Sequence, residues 1–407
     1  MYYTRAMREC WVKAGEQFPV LLLTGPRQVG KTTLLQHLCE KGRRYVTLDD
    51  PSVRTLARED PALFLQRFEP PVLIDEIQYA TELLPLIKMA VDADRRPGMF
   101  WLTGSQQFLM MKGVSETLAG RVAILNLLGF SSRERHRLEL NTSPFLPTQT
   151  GIKEREQSRA SSDLKAVYKD IWLGSFPALI AGSVKDRDLF YSSYLQTYLQ
   201  RDVKDLAQVG SEIAFMRFLK GCAARTGQML NITELARDAD VAVNTAKSWL
   251  SILQASLQIF ILQPYHTNVT KRLIKRPKLY FLDTGLCGYL TEWSSPETLA
   301  AGAMSGAILE TYALCELLKS WWHRGKMPQL YYYRDKDGRE IDFVLVQDQV
   351  FHPLEVKKSA SPKREWVEPF SALTRLKRSV GESGVLCLCR KVLPLAQNAS
   401  AIPIGII

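Results

Sequence analysis

At 407 residues the chain is too long for one ordinary hydrophobic core, and at roughly 100–200 residues per domain it implies two or three. Its 46% hydrophobic and 23% charged residues are those of an ordinary globular protein. No run reaches the roughly 18–20 apolar residues of a membrane helix, and the opening MYYTRAMREC has no apolar leader segment, so a cytoplasmic protein with no membrane partner is expected.

The net charge of +11 is unevenly spread. Residues 1–130 carry 16 basic and 14 acidic side chains (+2), residues 131–290 carry 22 and 15 (+7), and residues 291–407 carry 15 and 13 (+2). A polyanion partner is therefore expected at the middle of the chain. The 7 cysteines show no metal-ligand spacing with the 5 histidines and read as reduced thiols.

Residues 18–24 (FPVLLLT) form a short apolar strand, followed by a glycine-containing loop and a helical pattern, TTLLQHLCE. The loop Gly25-Pro26-Arg27-Gln28-Val29-Gly30-Lys31-Thr32, continued by Thr33, has the G-x-x-x-x-G-K-[ST] spacing. Glycine lets backbone N–H groups turn toward phosphate oxygens, and the helix N-terminus behind them favours an anion. Lys31 neutralises β- and γ-phosphate charge, and Thr32 offers a hydroxyl to Mg²⁺. ATP and Mg²⁺ are the expected ligands.

Further strands are expected at 44–48, 71–75, 99–103 and 122–128, with helical patterns between them, as at 82–92. That alternation predicts a parallel sheet covered by helices. The strand at 71–75 ends in Asp75, suited to hold Mg²⁺ mostly through water, and Glu76, suited to polarise the attacking water. The next strand runs into LTGSQQ, where Ser105 or Gln106 would sense the γ-phosphate, or the segment is a simple turn. Arg121 in LAGRV, or else Arg201 in YLQRDV, would supply the arginine such a site needs.

Residues 141–162 are polar and aperiodic and read as a flexible linker or loop. Helical patterns follow from 163 to 228. ITELARDAD and VNTAKSWLSILQ then read as two helices joined by a tight turn, with Ile232, Leu235, Ala236, Trp249 and Leu253 inward. The second helix would expose Asn244, Thr245, Lys247 and Ser248 to bases or phosphates. The run from Lys271 and Arg272 through Lys278 would form a wing or a phosphate-contacting strand. A lid or protein-interaction module is the alternative use of this unit.

The last third reads as a helix at 306–319, strands LYYYR, EIDFVLV, FHPLEVK and GVLCLC, and a helix, VEPFSALTRL, before the last strand. Glu310 lies on the first helix, Asp342 in the second strand, and Glu355 and Lys357 share one face of the third. Charges in such apolar strands are costly unless paired or metal-bound.

GPRQVGKTT, LIDEIQ, LTGSQQ and LAGRV, continued by TGQMLNITELA, KRPKLYFLDTGL, GAILET, REIDFV and LEVKKS, together resemble the AAA-type ATPases of bacteria and archaea that carry a conserved C-terminal domain of unknown function. The resemblance covers nearly the whole chain. It implies a homo-oligomeric P-loop ATPase with a winged-helix and nuclease-like C-terminal half. The order helix Glu, strand Asp, Glu-x-Lys further resembles the PD-(D/E)xK nuclease superfamily. On that resemblance Asp342 and Glu355 would bind Mg²⁺ or Mn²⁺. Lys357 would activate water, Glu310 would add a carboxylate, and Tyr332, Arg334 and Lys358 would touch a phosphate backbone.

The expected fold is thus α/β: a parallel-sheet P-loop ATPase domain (1–140), a linker (141–162), a helical and winged-helix domain (163–290) and a small α+β nuclease-like domain (291–407). The expected function is Mg²⁺-dependent ATP hydrolysis on or with DNA, with a metal-dependent nuclease. The alternative is an ATP-controlled switch whose last domain only binds DNA or a partner.

Overall fold

The computed structural model describes residues 2–104, 117–198, 211–266, 276–376 and 378–407. Five strands, β1 (Val20–Thr24), β2 (Arg44–Thr47), β3 (Val72–Asp75), β4 (Phe100–Gly104) and β5 (Val122–Asn126), form a parallel sheet in the order β2-β3-β4-β1-β5. Leu21, Leu23, Leu73 and Trp101 enter one apolar cluster, while Val20, Leu22, Val72, Ile74, Phe100 and Leu102 enter another. That period-2 split is why the strands read as continuous apolar runs: both faces of the sheet are covered.

The cluster containing Leu21 and Leu23 does not stop at the first sheet. It continues through Tyr191, Phe218 and Trp249 to Leu314, Trp322 and Ile402. The three regions of the chain therefore share one core.

The stretch 141–162, expected as a linker, is not one. It carries a helix at Gln149–Glu156 with Ile152 and Arg155 buried, and Phe145 beside it is fully buried. Composition misled here because the helix is polar on most positions and anchors itself with few side chains.

In the middle region, helices Ile232–Asp238 and Val243–Ala255 pack through Leu235, Ala236, Ala246, Trp249 and Leu253. They stand beside a small antiparallel sheet, β6 (Gln228–Met229), β7 (Ile259–Leu262) and β8 (Lys278–Phe281), in the order β6-β8-β7.

The last region is a six-stranded mixed sheet of β9 (Leu330–Arg334), β10 (Glu340–Gln347), β11 (Val350–Lys357), β12 (Ser383–Cys387), β13 (Leu393–Ala396) and β14 (Ala399–Pro403). Its order is β13-β14-β12-β11-β10-β9. Helix Ser305–Trp322 packs on it and is buried along most of its length. The expected helix at VEPFSALTRL lies within a 3₁₀ segment, Arg364–Leu376, interrupted by Pro369. Among the described residues no helix is long and apolar enough to cross a membrane.

Candidate functional site

The loop after β1 has the backbone its sequence demands. Gly25 has φ +155°, and a Cβ there would meet the Leu127 carbonyl oxygen at 2.1 Å. Gly30 is left-handed (φ 89°) and caps helix Lys31–Leu38. Lys31 is buried, and its Nζ donates to the carbonyls of Gly25 (3.0 Å) and Pro26 (2.8 Å). Thr32 Oγ1 donates to both Asp75 oxygens, at 2.9 and 3.0 Å. Tyr45 OH donates to Asp75 Oδ2 at 3.1 Å, and Thr103 Oγ1 to Oδ1. Burial raises the Asp75 carboxyl above its usual range; these hydroxyl bonds oppose that.

Glu76 sits at φ 59°, a conformation costly for a non-glycine residue. Its N–H donates to Thr103 Oγ1 (3.1 Å), and its carboxylate accepts from Gln78. Arg27, Gln28, Gly30, Lys31, Thr32, Thr33 and Glu76 line a cleft of about 660 Å³, within the range of small-molecule sites. Its far wall comes from the next region, through Pro177, Ala178, Ala181, Ser183 and Thr197.

Arg121 does not face this cleft. The parallel register sets Val122 level with Val20 and Asn126 level with Thr24. Arg121 therefore lies at the sheet edge opposite the loop, roughly 15 Å along the strand direction. It forms a two-pronged pair with Asp92, at 2.6 and 3.0 Å. Ser105, Gln106 and Arg201 lie outside the described residues, as do Lys271 and Arg272.

Sequence reasoning missed Arg5, Tyr45 and Thr103. Arg5 is buried and reaches under the loop. It donates to Val29 O (2.9 Å), Leu128 O (2.7 Å) and Glu134 Oε1 (3.0 Å). Glu134 also accepts from the N–H groups of Ala6 (2.7 Å) and Ser131 (2.8 Å). Burial alone would raise the Glu134 carboxyl; Arg5 and His323 outweigh it and hold it far below the usual range. His323 Nε2 accepts from Leu128 N–H at 3.2 Å, so Nδ1 carries the ring proton, 3.5 Å from Glu134. Lys319 and Glu316, on helix Ser305–Trp322, bind Phe130 O (2.9 Å) and Ser132 N–H (2.7 Å).

On the second helix of the pair, Asn244, Lys247 and Ser248 are exposed and Thr245 is half-buried. Ser251 is exposed one turn further on, so the polar residues form one stripe.

In the last region Asp342 Oδ2 accepts from Val356 N–H (2.9 Å), and Lys357 Nζ donates to Glu355 Oε1 (2.6 Å). Glu355 Oε2 is buried without a hydrogen-bond partner among the described residues. Lys278, the first residue of β8, belongs by sequence to an exposed basic run. Instead its side chain is 4% exposed and lies 2.6 Å from Glu340, 3.1 Å from Glu310 and 3.9 Å from Asp342. Tyr280 OH donates to Glu310 at 2.5 Å. Glu310 is thus engaged by Lys278 and Tyr280. Among the described residues no group of three or more His, Cys, Asp or Glu is arranged to hold a metal ion. Glu310, Asp342 and Glu355, expected as a metal set, are therefore not arranged as such a group. Tyr332 donates to Arg276 O, Lys358 to Ala300 O and Ser305, and Arg334 lies 3.7 Å from Glu340. Tyr332 is buried, whereas Arg334 and Lys358 are exposed, each with a partner on the protein.

Burial is the largest cause of the raised carboxyls here, with the Asp342 charge added: Glu310 rises to about 7 and Glu355 to about 8, from 4.5. A carboxyl raised in the folded state holds its proton more tightly there. Its stabilisation is full below about 4.5 and is lost as pH rises through 7–8. With divalent ions chelated, melting temperature is expected to fall across that window on this account. Glu355→Gln cannot ionise and should flatten the slope; a melting profile parallel to wild type between about pH 5 and 9 would count against the assignment.

Residues 17–136 match an AAA domain, and residues 164–297 and 305–407 match two domains of unknown function, DUF8612 and DUF4143. Similar solved structures include the Walker-type ATPase PABY2304 of Pyrococcus abyssi, 15% identical, covering 70% of this chain and 94% of that one at a TM-score of 0.42. A variant of RuvB from Thermotoga maritima is 15% identical over 63% of this chain and 85% of its own, at 0.29. The uncharacterized proteins Rv2008c of Mycobacterium tuberculosis and Mb2031c of Mycobacterium bovis are each 30% identical over 356 residues, 86% of this chain and 73% of theirs. The chain is a P-loop protein of the AAA type, and it belongs to the family of these two mycobacterial proteins.

Proposed function

We propose that the chain is a cytoplasmic, Mg²⁺-dependent ATPase that works as a homo-oligomer on DNA. The observation that carries the ATPase reading is the convergence of Lys31, Thr32, Asp75 and Glu76 at one cleft. Lys31 would exchange its two loop carbonyls for β- and γ-phosphate oxygens, while backbone N–H groups of the loop cradle the remaining charge. Mg²⁺, held by Thr32 and through water by Asp75, would supply charge neutralisation at those phosphates. Glu76, at the cleft beside Thr32, would orient the water and take its proton. Glu76→Gln is expected to cut ATP turnover by about 10²–10⁴-fold while ATP binding persists. Turnover within a few-fold of wild type would remove Glu76 from this role.

DNA as the target rests on the Asn244, Lys247 and Ser248 stripe and on the charge of the middle region, with Lys271 and Arg272 as phosphate-binding side chains. Duplex affinity should fall linearly with salt on logarithmic axes. Lys271→Glu and Arg272→Glu should each make that slope shallower by roughly 0.9, the value of one neutralised phosphate. Salt-independent binding, or none, rejects this part.

The carboxylate cluster we read as a divalent-cation site of the PD-(D/E)xK kind, held by Asp342 and the unpartnered Glu355 Oε2, with Lys357 to orient water. With all ionised, four carboxylates (Glu310, Glu340, Asp342, Glu355) outnumber two ammonium groups (Lys278, Lys357) by two charges, an imbalance that such an ion would offset. A second reading, the ATP-controlled switch, is favoured by Lys278 and Tyr280 engaging Glu310. Plasmid and linear DNA incubated with and without ATP, in Mg²⁺ or Mn²⁺, separate the two. Cleavage abolished by Lys357→Ala supports the nuclease, whereas ATP turnover without cleavage supports the switch.

A further inference from the structure

Lys278 belongs by sequence to the small antiparallel sheet of the middle region, yet its ammonium is spent in the last one. Strand β8 ends against helix Ser305–Trp322, and the side chain crosses into the carboxylate cluster. Three carboxylates surround it: Glu340 at 2.6 Å, Glu310 at 3.1 Å and Asp342 at 3.9 Å. It also lies over the Tyr332 ring, 5.6 Å from the centroid. At 4% exposure, water does not reach the charge, so the carboxylates are its solvation. This is the coordination of a cation by hard oxygen ligands, with an ammonium in the cation's place.

The opposite end of the cluster is built differently. Glu355 Oε1 is taken by Lys357, while Oε2 is buried with no partner among the described residues. Asp342 stands between the two ends: one oxygen accepts from Val356 N–H and the other faces Lys278. With all four acids ionised, as a bound cation would hold them, Lys278 and Lys357 leave two negative charges, the charge of one divalent ion. Without Lys278 the deficit would be three. Arg334 lies 3.7 Å from Glu340 but is 47% exposed and sits at the rim, where solvent screens it.

We propose that Lys278 is a built-in cation of this cluster. It fills the Glu310–Glu340–Asp342 position, so the site takes one divalent ion, on the Asp342–Glu355 side, rather than two. The proposal rests on the reading of the cluster as a divalent-cation site. Lys278 is a positioning residue here: it fixes the orientation of Glu310 and Asp342 and sets the number of ions. Because it is carried by β8, a displacement of the helix-pair unit would withdraw it and open the second position.

The test is to count Mn²⁺ on the full-length, nucleotide-free chain by paramagnetic resonance of free Mn²⁺, with calorimetry alongside. Asp75→Asn serves as a common background, so that ions at the P-loop are not scored. The chain with Lys278 intact should bind one Mn²⁺, and Glu355→Gln should bind none. Lys278→Met should bind two, or bind the first at least tenfold more tightly, while Lys278→Arg keeps the count at one. Two ions with Lys278 intact would overturn the proposal, and that count stands even where Lys278→Met does not fold. One ion both with Lys278 intact and in Lys278→Met, at equal affinity, would overturn it while leaving the cation-site reading intact. No ion in any form would overturn the cation-site reading itself, and the proposal with it.

Discussion

Arg5→Ala is expected to lower the unfolding free energy by about 3–5 kcal/mol, the cost of stranding a buried charge without its partner. The charge is Glu134, whose side chain is fully buried and whose cationic partner in closest contact is Arg5 at 3.0 Å. The remaining neighbours do not replace it. Burial disfavours a charge on His323, although Glu134 draws one there. The N–H groups of Ala6 and Ser131 stay in place but carry no full charge. Arg5 also donates to Val29 and Leu128, so the same substitution frees the carbonyl under the phosphate loop. ATP affinity should fall with stability. Pairing Arg5→Met with Glu134→Leu removes both charges and should recover much of the loss. Urea unfolding of the single and double variants checks this; an additive double variant would show that the pair is not the cause.

Arg121→Ala is expected to reduce ATP turnover by about 10³-fold or more, the range for an arginine that meets the γ-phosphate. The register sets Arg121 at the sheet edge away from its own loop, so it would serve a neighbouring copy. Its pairing with Asp92 is part-exposed, at 25% and 37%, and such a pair is cheap to break. Since Arg121 and Lys31 would work from different copies, mixing Arg121→Ala chains with Lys31→Ala chains should restore turnover. Neither is active alone, but a mixed interface joins an intact loop to an intact arginine. No recovery on mixing, or an Arg121→Ala chain with normal turnover, would end the assignment and remove the argument for a functional oligomer.

Some of this was legible because its causes lie close together in sequence. The strand, the two glycines, Lys31 and Thr32 occupy one short segment, and the apolar strand that brings Asp75 and Glu76 to the same edge is itself a local signal. The helix pair was legible for the same reason: Leu235, Ala236, Trp249 and Leu253 announce their own packing by spacing. What escaped is what tertiary packing decides. Arg5 meets Glu134 across 129 positions, and nothing in MYYTRAMREC marks one arginine as buried. Lys278 sits among basic residues, where a solvated run is the ordinary reading, and only the turn of β8 sends it inward. β13 and β14 were missed because LPLA and ASAIP are short and contain proline, and β13 is the edge strand of the sheet. Polar composition likewise hid the helix at Gln149–Glu156, which is fixed by Ile152 and Arg155.

The continuous core has a consequence for the order in which the protein is made. Ribosomes deliver the first sheet early, and domains generally fold as they emerge. Here the face bearing Leu21, Leu23 and Trp101 belongs to a cluster that is completed only by Leu314, Trp322 and Ile402. His323 and Lys319, which close the network beside the phosphate loop, come from the far end of the chain. The first sheet can cover this face early with Met7, Trp11, Leu34 and Leu35 of the same cluster, while its packing with the last third is made only late in synthesis. The hydrogen-bond network beside the phosphate loop is therefore completed long after the loop itself has been made.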